Sequence, residues 1–195
     1  PYLYTREYFE IMQEALSADG VAAAWLPVGG LSFNDLRILI ATFDSVYSHT
    51  TAWYFTQFPT HFIILVGTPE PTRVNLAELT EEMARVDGDL RSLNVDNVYK
   101  LASMLLLGES DIDSLVHGAP IHTDNRPILE YSDMDLYNVT DVAPNLGRLI
   151  GFQKEDLLEY FVGSEHQLVE LEEYFDLYTG NYLDYVQLYK QQRLR

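Results

Sequence analysis

The sequence predicts an α/β fold whose sheet closes in an antiparallel hairpin and whose chain then runs on into helices. Three observations carry that prediction. Apolar residues recur at helical spacing over residues 5–17 and again over 32–47. Between them stands a short, unalternating apolar run, Val21 to Leu26. After the second helix come two strand-like runs, Thr51 to Thr56 and Phe62 to Val66, with only a short polar loop holding Pro59 and Thr60 between them.

Each element has its own local reason. Thr5 is placed to cap the first helix, and Tyr8, Ile11, Met12, Ala15 and Leu16 fall on one of its faces before Asp19-Gly20 ends it. The run from Val21 to Leu26 reads as a strand covered on both faces and stopped by Pro27. Ser32 caps the second helix, whose buried stripe is Leu36, Leu39, Ile40 and Phe43. The connection between the next two strands is too short for a parallel crossover, so they are expected to pair antiparallel. Strand, helix, strand and antiparallel strand is the ending of the class I methyltransferase fold, a Rossmann-like sheet whose last strand inserts beside the fifth and sixth. The chain is therefore expected to be the C-terminal part of such a fold, a fragment of a longer protein.

Beyond Gly67, helices are expected over 75–93, with a stripe of Leu76, Leu79, Met83 and Val86, and over 95–107, ending in Leu101, Met104, Leu105 and Leu106. Residues 111–117 read as a helical turn or two. The loop "GAPIHTDNRPILEYS" then closes on a short extended run. Two regions are drawn: residues 1–132 as the α/β part, and 133–195 as a connector followed by a helical tail. Within the tail, 138–151 reads as connector and 154–162, 165–178 and 182–192 as helices. Tyr174, Tyr178, Tyr182, Tyr185 and Tyr189 recur across a Gly180-Asn181 turn, as in a helix-hairpin seam, and the pattern half matches a tetratricopeptide unit.

Composition limits the functions. With 30 acidic residues against 12 lysines and arginines, the net charge of -18 argues against nucleic-acid or anionic-membrane binding, which needs a basic footprint. The same field favours a cationic ligand. The absence of cysteine removes disulfides, thiolate metal sites and thiol nucleophiles, and fits a cytoplasmic location. No apolar run approaches the ~20 residues a membrane span requires.

Four stretches in order, "LYTREYFEIM", "SADGVAAAWLP", "HFIILVG" and "GAPIHTDNRPILEYS", resemble the C-terminal half of the spermidine synthase family, the polyamine aminopropyltransferases. The likeness is nearest to bacterial members fused to membrane or repeat segments. It rests on Leu3 and Tyr4, Glu7 to Phe9, Asp19 and Gly20, and Ile121 to Thr123, and spans about residues 2–132. That family moves an aminopropyl group from decarboxylated S-adenosylmethionine to an amine. The resemblance implies that Tyr4, Trp25, Leu26, Pro27, Gln57, Pro59 and Thr60 form one wall of the amine cleft, with His122, Asp124 and Arg126 at its rim. The family's cofactor turn and catalytic aspartate loop have no counterpart in these residues, so no catalytic, cofactor-binding or metal residue is assigned and the chain alone is expected to be inactive. Trp-Leu-Pro stands where the family has a polar stretch, and Val116, His117 and Gly118 stand where it has paired tyrosines. Both departures leave open a methyltransferase-like relative with another acceptor, or a noncatalytic interaction module. Copies are expected to pair through the free sheet edge or the tyrosine-rich tail.

Other constellations carry less. His49, His61, His117 and His122 lack a recognised ligand spacing, "ESDIDS" lacks the glycine and distal glutamate of an EF-hand loop, and Ser32, Ser103 and Ser110 lack a nucleophile-elbow context.

Overall fold

The computed structural model describes residues 3–55, 62–132 and 141–192, with side chains through Tyr178. Helix α1 (Arg6–Glu14) begins where Thr5 Oγ1 accepts the Tyr8 amide at 3.3 Å, and α2 (Phe33–Asp44) where Ser32 Oγ accepts the Asp35 amide at 3.1 Å. Both caps are the ones the sequence announces. Strand β1 (Ala22–Pro27) lies between them, and β2 (His49–Tyr54) and β3 (Phe62–Thr68) follow.

The sheet order is β1-β3-β2-β5, with β5 at Leu105–Leu107 and every neighbouring pair antiparallel. Strand β3 thus inserts between β1 and β2, as the sequence predicts. Ala24 faces Leu65 on one side, and Ala52 faces the same Leu65 on the other. Because opposed residues share a face, Ala24, Leu26, Ile63, Leu65, Ala52 and Tyr54 point together into one core. Phe9, Leu36, Ile40 and Phe43 fill it from α1 and α2. Gly67 is needed there: a Cβ would stand 2.5 Å from Tyr47 Cγ.

The opposite face is covered at one end only. Trp53 packs on Phe161 in a second core built from Leu76, Met83, Val98, Leu105, Tyr160 and Leu171. At the β1 end no described element covers the face: β1 alternates buried and exposed, and Trp25 is 63% exposed. The two-sided burial expected of Val21 to Leu26 is therefore corrected; β1 is an edge strand with one open face.

Several tail-ward expectations are also corrected. Residues 75–93 divide into β4 (Val74–Asn75), α3 (Leu76–Arg85) and α4 (Asp87–Ser92), with Val86 leaving helical geometry between the two helices. The helix expected over 95–107 is only α5 (Val98–Ala102), and its leucines form β5. A fully buried apolar run carries no period that separates strand from helix. Helix α6 (Glu109–Val116) matches its expectation. The extended run before Ser132 is a 3-10 turn, Ile128–Tyr131.

The expected connector holds α7 (Val142–Ile150), in which Pro144 is third in the helix and so displaces no intrahelical bond. Residues 154–162 are not one helix. They make a 3-10 turn (Leu157–Tyr160) and β6 (Phe161–Val162), which pairs parallel with β4. Helix α8 (Glu165–Gln192) runs unbroken through Gly180-Asn181, so the expected hairpin turn is absent. Tyr174 stacks near Tyr99 at 5.7 Å and near Tyr178 at 6.0 Å; the side chains of Tyr182, Tyr185 and Tyr189 lie outside the described residues. No helix among the described residues is long and apolar enough to cross a membrane.

Candidate functional site

Strands β1 and β2 both run antiparallel to β3 and so run parallel to each other, with their carboxyl ends at Pro27 and Tyr54. In open α/β sheets ligands gather outside the carboxyl ends of such strands. Tyr4 and Trp25 meet there. The Tyr4 hydroxyl donates to the Trp25 carbonyl at 2.9 Å, across 21 residues of sequence. Tyr4 holds this position with φ of 63°, a left-handed conformation that a bulky residue adopts only under constraint from its surroundings. Burial, then the neighbouring Tyr8, pushes its phenol above the ordinary tyrosine range.

The Trp25 ring stacks on Phe62 at 5.7 Å and 28°, and both rings face outward. Pro27 opposes Phe62 in the register. Leu26 differs from its neighbours: it is wholly buried in the core and supports the wall from behind. Gln57, Pro59 and Thr60 lie outside the described residues. What the described wall offers is a flat, uncharged aromatic platform. It can cover an alkyl chain or attract a cation to a ring face, but Trp25, Leu26 and Pro27 can neither give nor take a proton.

The expected rim residues are placed otherwise. His122 is 3% exposed and sits inside the molecule, not at a rim. Its amide donates to Thr42 Oγ1 at 3.0 Å, its carbonyl accepts the Arg6 amide at 2.9 Å, and its Nδ1 accepts the Leu129 amide at 3.5 Å. Burial lowers its pKa, while Glu130, Glu7 and Asp124 act in the opposite sense. The Asp124 amide donates to Glu7 Oε2 at 2.9 Å. The Arg126 amide donates to both Thr123 oxygens at 3.0 Å, and its side chain is exposed. This turn docks on the first turn of α1, the helix that Tyr4 precedes. The Tyr4–Trp25 contact and the 122–126 turn are thus connected through α1.

A larger polar cluster lies at the start of α6. His49 Nδ1 is 2.7 Å from Glu109 Oε2, and Glu109 Oε1 accepts the Thr72 amide at 2.8 Å. The Glu109 amide donates to Tyr160 Oη at 2.6 Å, and that hydroxyl donates to Glu155 Oε2 at 2.9 Å. Glu155 also accepts the Ser110 amide at 3.1 Å, the Asp111 amide at 3.4 Å and the Ser110 hydroxyl. Asp111 in turn accepts amides of Gly108, Lys154 and Glu155. Burial raises the Tyr160 phenol well above its ordinary range, and burial raises the Asp111 carboxyl against the lowering by its three amide bonds. The acidic "ESDIDS" stretch is therefore the start of a helix with a carboxylate from 45 residues away seated on it. Beside it, an open groove of about 310 Å³ is lined by Glu155, Asp156, Leu157, Glu172, Phe175 and Asp176. Among the described residues no group of three or more His, Asp or Glu could hold a metal ion.

The resemblance named Tyr4 and Trp25, and the structure brings these two into contact. Sequence reasoning missed Glu155 and Tyr160, for which only the bare acidity of 109–113 gave a signal. Comparison of the chain with protein-family models, with curated proteins and with solved structures finds no match in any of the three.

Proposed function

We propose that this chain forms the acceptor-side wall of a spermidine-synthase-like aminopropyltransferase, an enzyme that moves an aminopropyl group from decarboxylated S-adenosylmethionine to a small-molecule amine. The observation that carries the reading is the sheet order, in which a hairpin strand inserts antiparallel between two strands joined by a helix, the ending of a Rossmann-like class I methyltransferase sheet. The Tyr4–Trp25 contact at the carboxyl end of β1 supports the location. An amine is a cation at neutral pH, and a chain of net charge -18 favours its approach.

On this reading the donor binds to segments that the family carries ahead of the part resembled here, and the chain alone is expected to hold no donor. Calorimetric titration of the chain with S-adenosylmethionine and with its decarboxylated form is expected to give no micromolar binding. Micromolar affinity for either would contradict the proposal. The second reading is a methyltransferase-like parent with another acceptor, favoured by the Trp25-Leu26-Pro27 run.

In the isolated chain two copies pair, on the same reading, through the edge of β1 that the family's preceding strand would otherwise cover and that carries no charged residue to guard it, or else through the tyrosine-rich tail. Because each copy is strongly acidic, the pairing strengthens with salt. Sedimentation equilibrium in high salt is expected to detect a dimer, which Ala23→Lys abolishes where the edge makes it; a clean monomer contradicts the pairing.

A further inference from the structure

His122 is the point where three elements are tied together. The segment 119–132 is a strap that crosses from α6 and holds α1 against α2. Its fastenings are few and specific: the His122 carbonyl on the Arg6 amide, the His122 amide on Thr42 of α2, the Asp124 amide on Glu7 of α1, and the Leu129 amide on the His122 ring. Leu129, 4% exposed, is the apolar anchor behind them.

The last fastening depends on protonation. Nδ1 can accept the Leu129 amide only while it carries no proton; in the imidazolium both ring nitrogens are donors, and two N–H groups then face each other in a buried site. The charged groups that act on the ring are Glu7 from α1, Asp124 from the turn and Glu130 from the 3-10 turn, while α2 presents the neutral Thr42 hydroxyl. All three carboxylates attract an imidazolium, yet burial outweighs them. A ring that moves toward water keeps the attraction and escapes the burial.

We propose that the 119–132 strap is an acid-released latch, held by neutral His122 and let go when that ring takes a proton. The sign follows from linkage. The ring's affinity for protons is lower in the closed strap than in the open one, where it is near the ordinary value of about 6.5. The closed form is fully favoured above that pH and loses its advantage as pH falls toward the closed-state value. Within that interval the opening constant rises about tenfold for each pH unit and then levels off. Release frees the first turn of α1, and with it the hold of Tyr4 on the Trp25 carbonyl. The latch concerns the fold alone and stands whether or not the chain serves an aminopropyltransferase.

Amide exchange on the full 195-residue chain between pH 7.5 and 5.0, corrected for intrinsic rates, tests it. The amides of Arg6, Asp124 and Leu129 are expected to lose protection as pH falls below about 6.5, while that of Leu65 in the core stays protected. In His122→Gln, whose side-chain carbonyl can accept from Leu129 without titrating, the strap amides are expected to stay protected throughout. Should that variant not fold, proton NMR titration of the His122 ring in the natural chain replaces it, with a midpoint expected to coincide with strap opening. Protection that is flat across the range overturns the latch. So does the same loss in His122→Gln, or a ring that titrates without any loosening of the strap.

Discussion

Asn145 shows how one buried amide can hold a turn at the edge of the candidate site. It is 3% exposed, and its Nδ2 donates to the Val28 carbonyl at 2.8 Å and the Leu31 carbonyl at 3.0 Å. These two carbonyls bracket Gly29-Gly30, where Gly30 takes φ of 72° to turn the chain from β1 into α2. Asn145→Ala leaves both carbonyls buried and unpaired, at a cost of about 2–3 kcal/mol. Urea unfolding is expected to show that loss as a lower midpoint at unchanged slope. Asn145→Asp, which offers no donor, is expected to do no better. A midpoint within error of the natural chain would show that Asn145 does not hold this turn. At this scale the sequence was legible where interactions are local. Thr5 and Ser32 cap the helices they precede, because a cap needs only a side-chain oxygen and an amide three residues on. Asn145 bonds across 117 and 114 residues, and no local pattern announces that.

Among the elements, α6 has an unusual start. Its N-cap position is Gly108, which has no side chain to offer, and the first-turn amides turn to Glu155 and Tyr160 for partners. A carboxylate there satisfies amides and meets the positive end of the helix together. Glu155→Ala is expected to cost about 2 kcal/mol in denaturant unfolding, the range for hydrogen bonds to a charged group, and to speed amide exchange at Ser110 and Asp111 ahead of the rest of the chain. Unchanged exchange at those two amides would contradict the clamp. The elements that sequence reasoning mistook share one cause. Leu105 to Leu107 is buried on both faces and reads equally as helix or strand, and it is decided by a partner, β2, some 50 residues earlier. Helix α7 hides behind Pro144 and Gly147, residues usually found in loops, and is secured by Leu146 and Leu149 entering the main core. The 3-10 turn and β6 replace an expected helix because β4 pairs with Phe161 and Val162. In each case tertiary packing decided what local preference left balanced.

For the whole molecule, the α1-β1-α2-β2-β3 order was legible because caps, periodicity and loop length agree over residues 5–68. The contact of Tyr4 with Trp25 spans 21 residues and the polar cluster at α6 draws its members from four separate stretches of chain, so neither is announced by a local pattern. The sheet that results has one face fully packed, the other packed at the β2–β5 end, and an open edge and aromatic platform at β1. Under the proposed function this platform serves aminopropyl transfer. It is tested by an assay of the chain joined to the donor-binding segments that the proposed family carries ahead of it, offered decarboxylated S-adenosylmethionine and a panel of diamines, with S-adenosylmethionine as the parallel donor and products identified by mass. An aminopropylated amine from the decarboxylated donor, with no methylated product from the other, is the expected result. Methyl transfer, or no product with either donor, would contradict it.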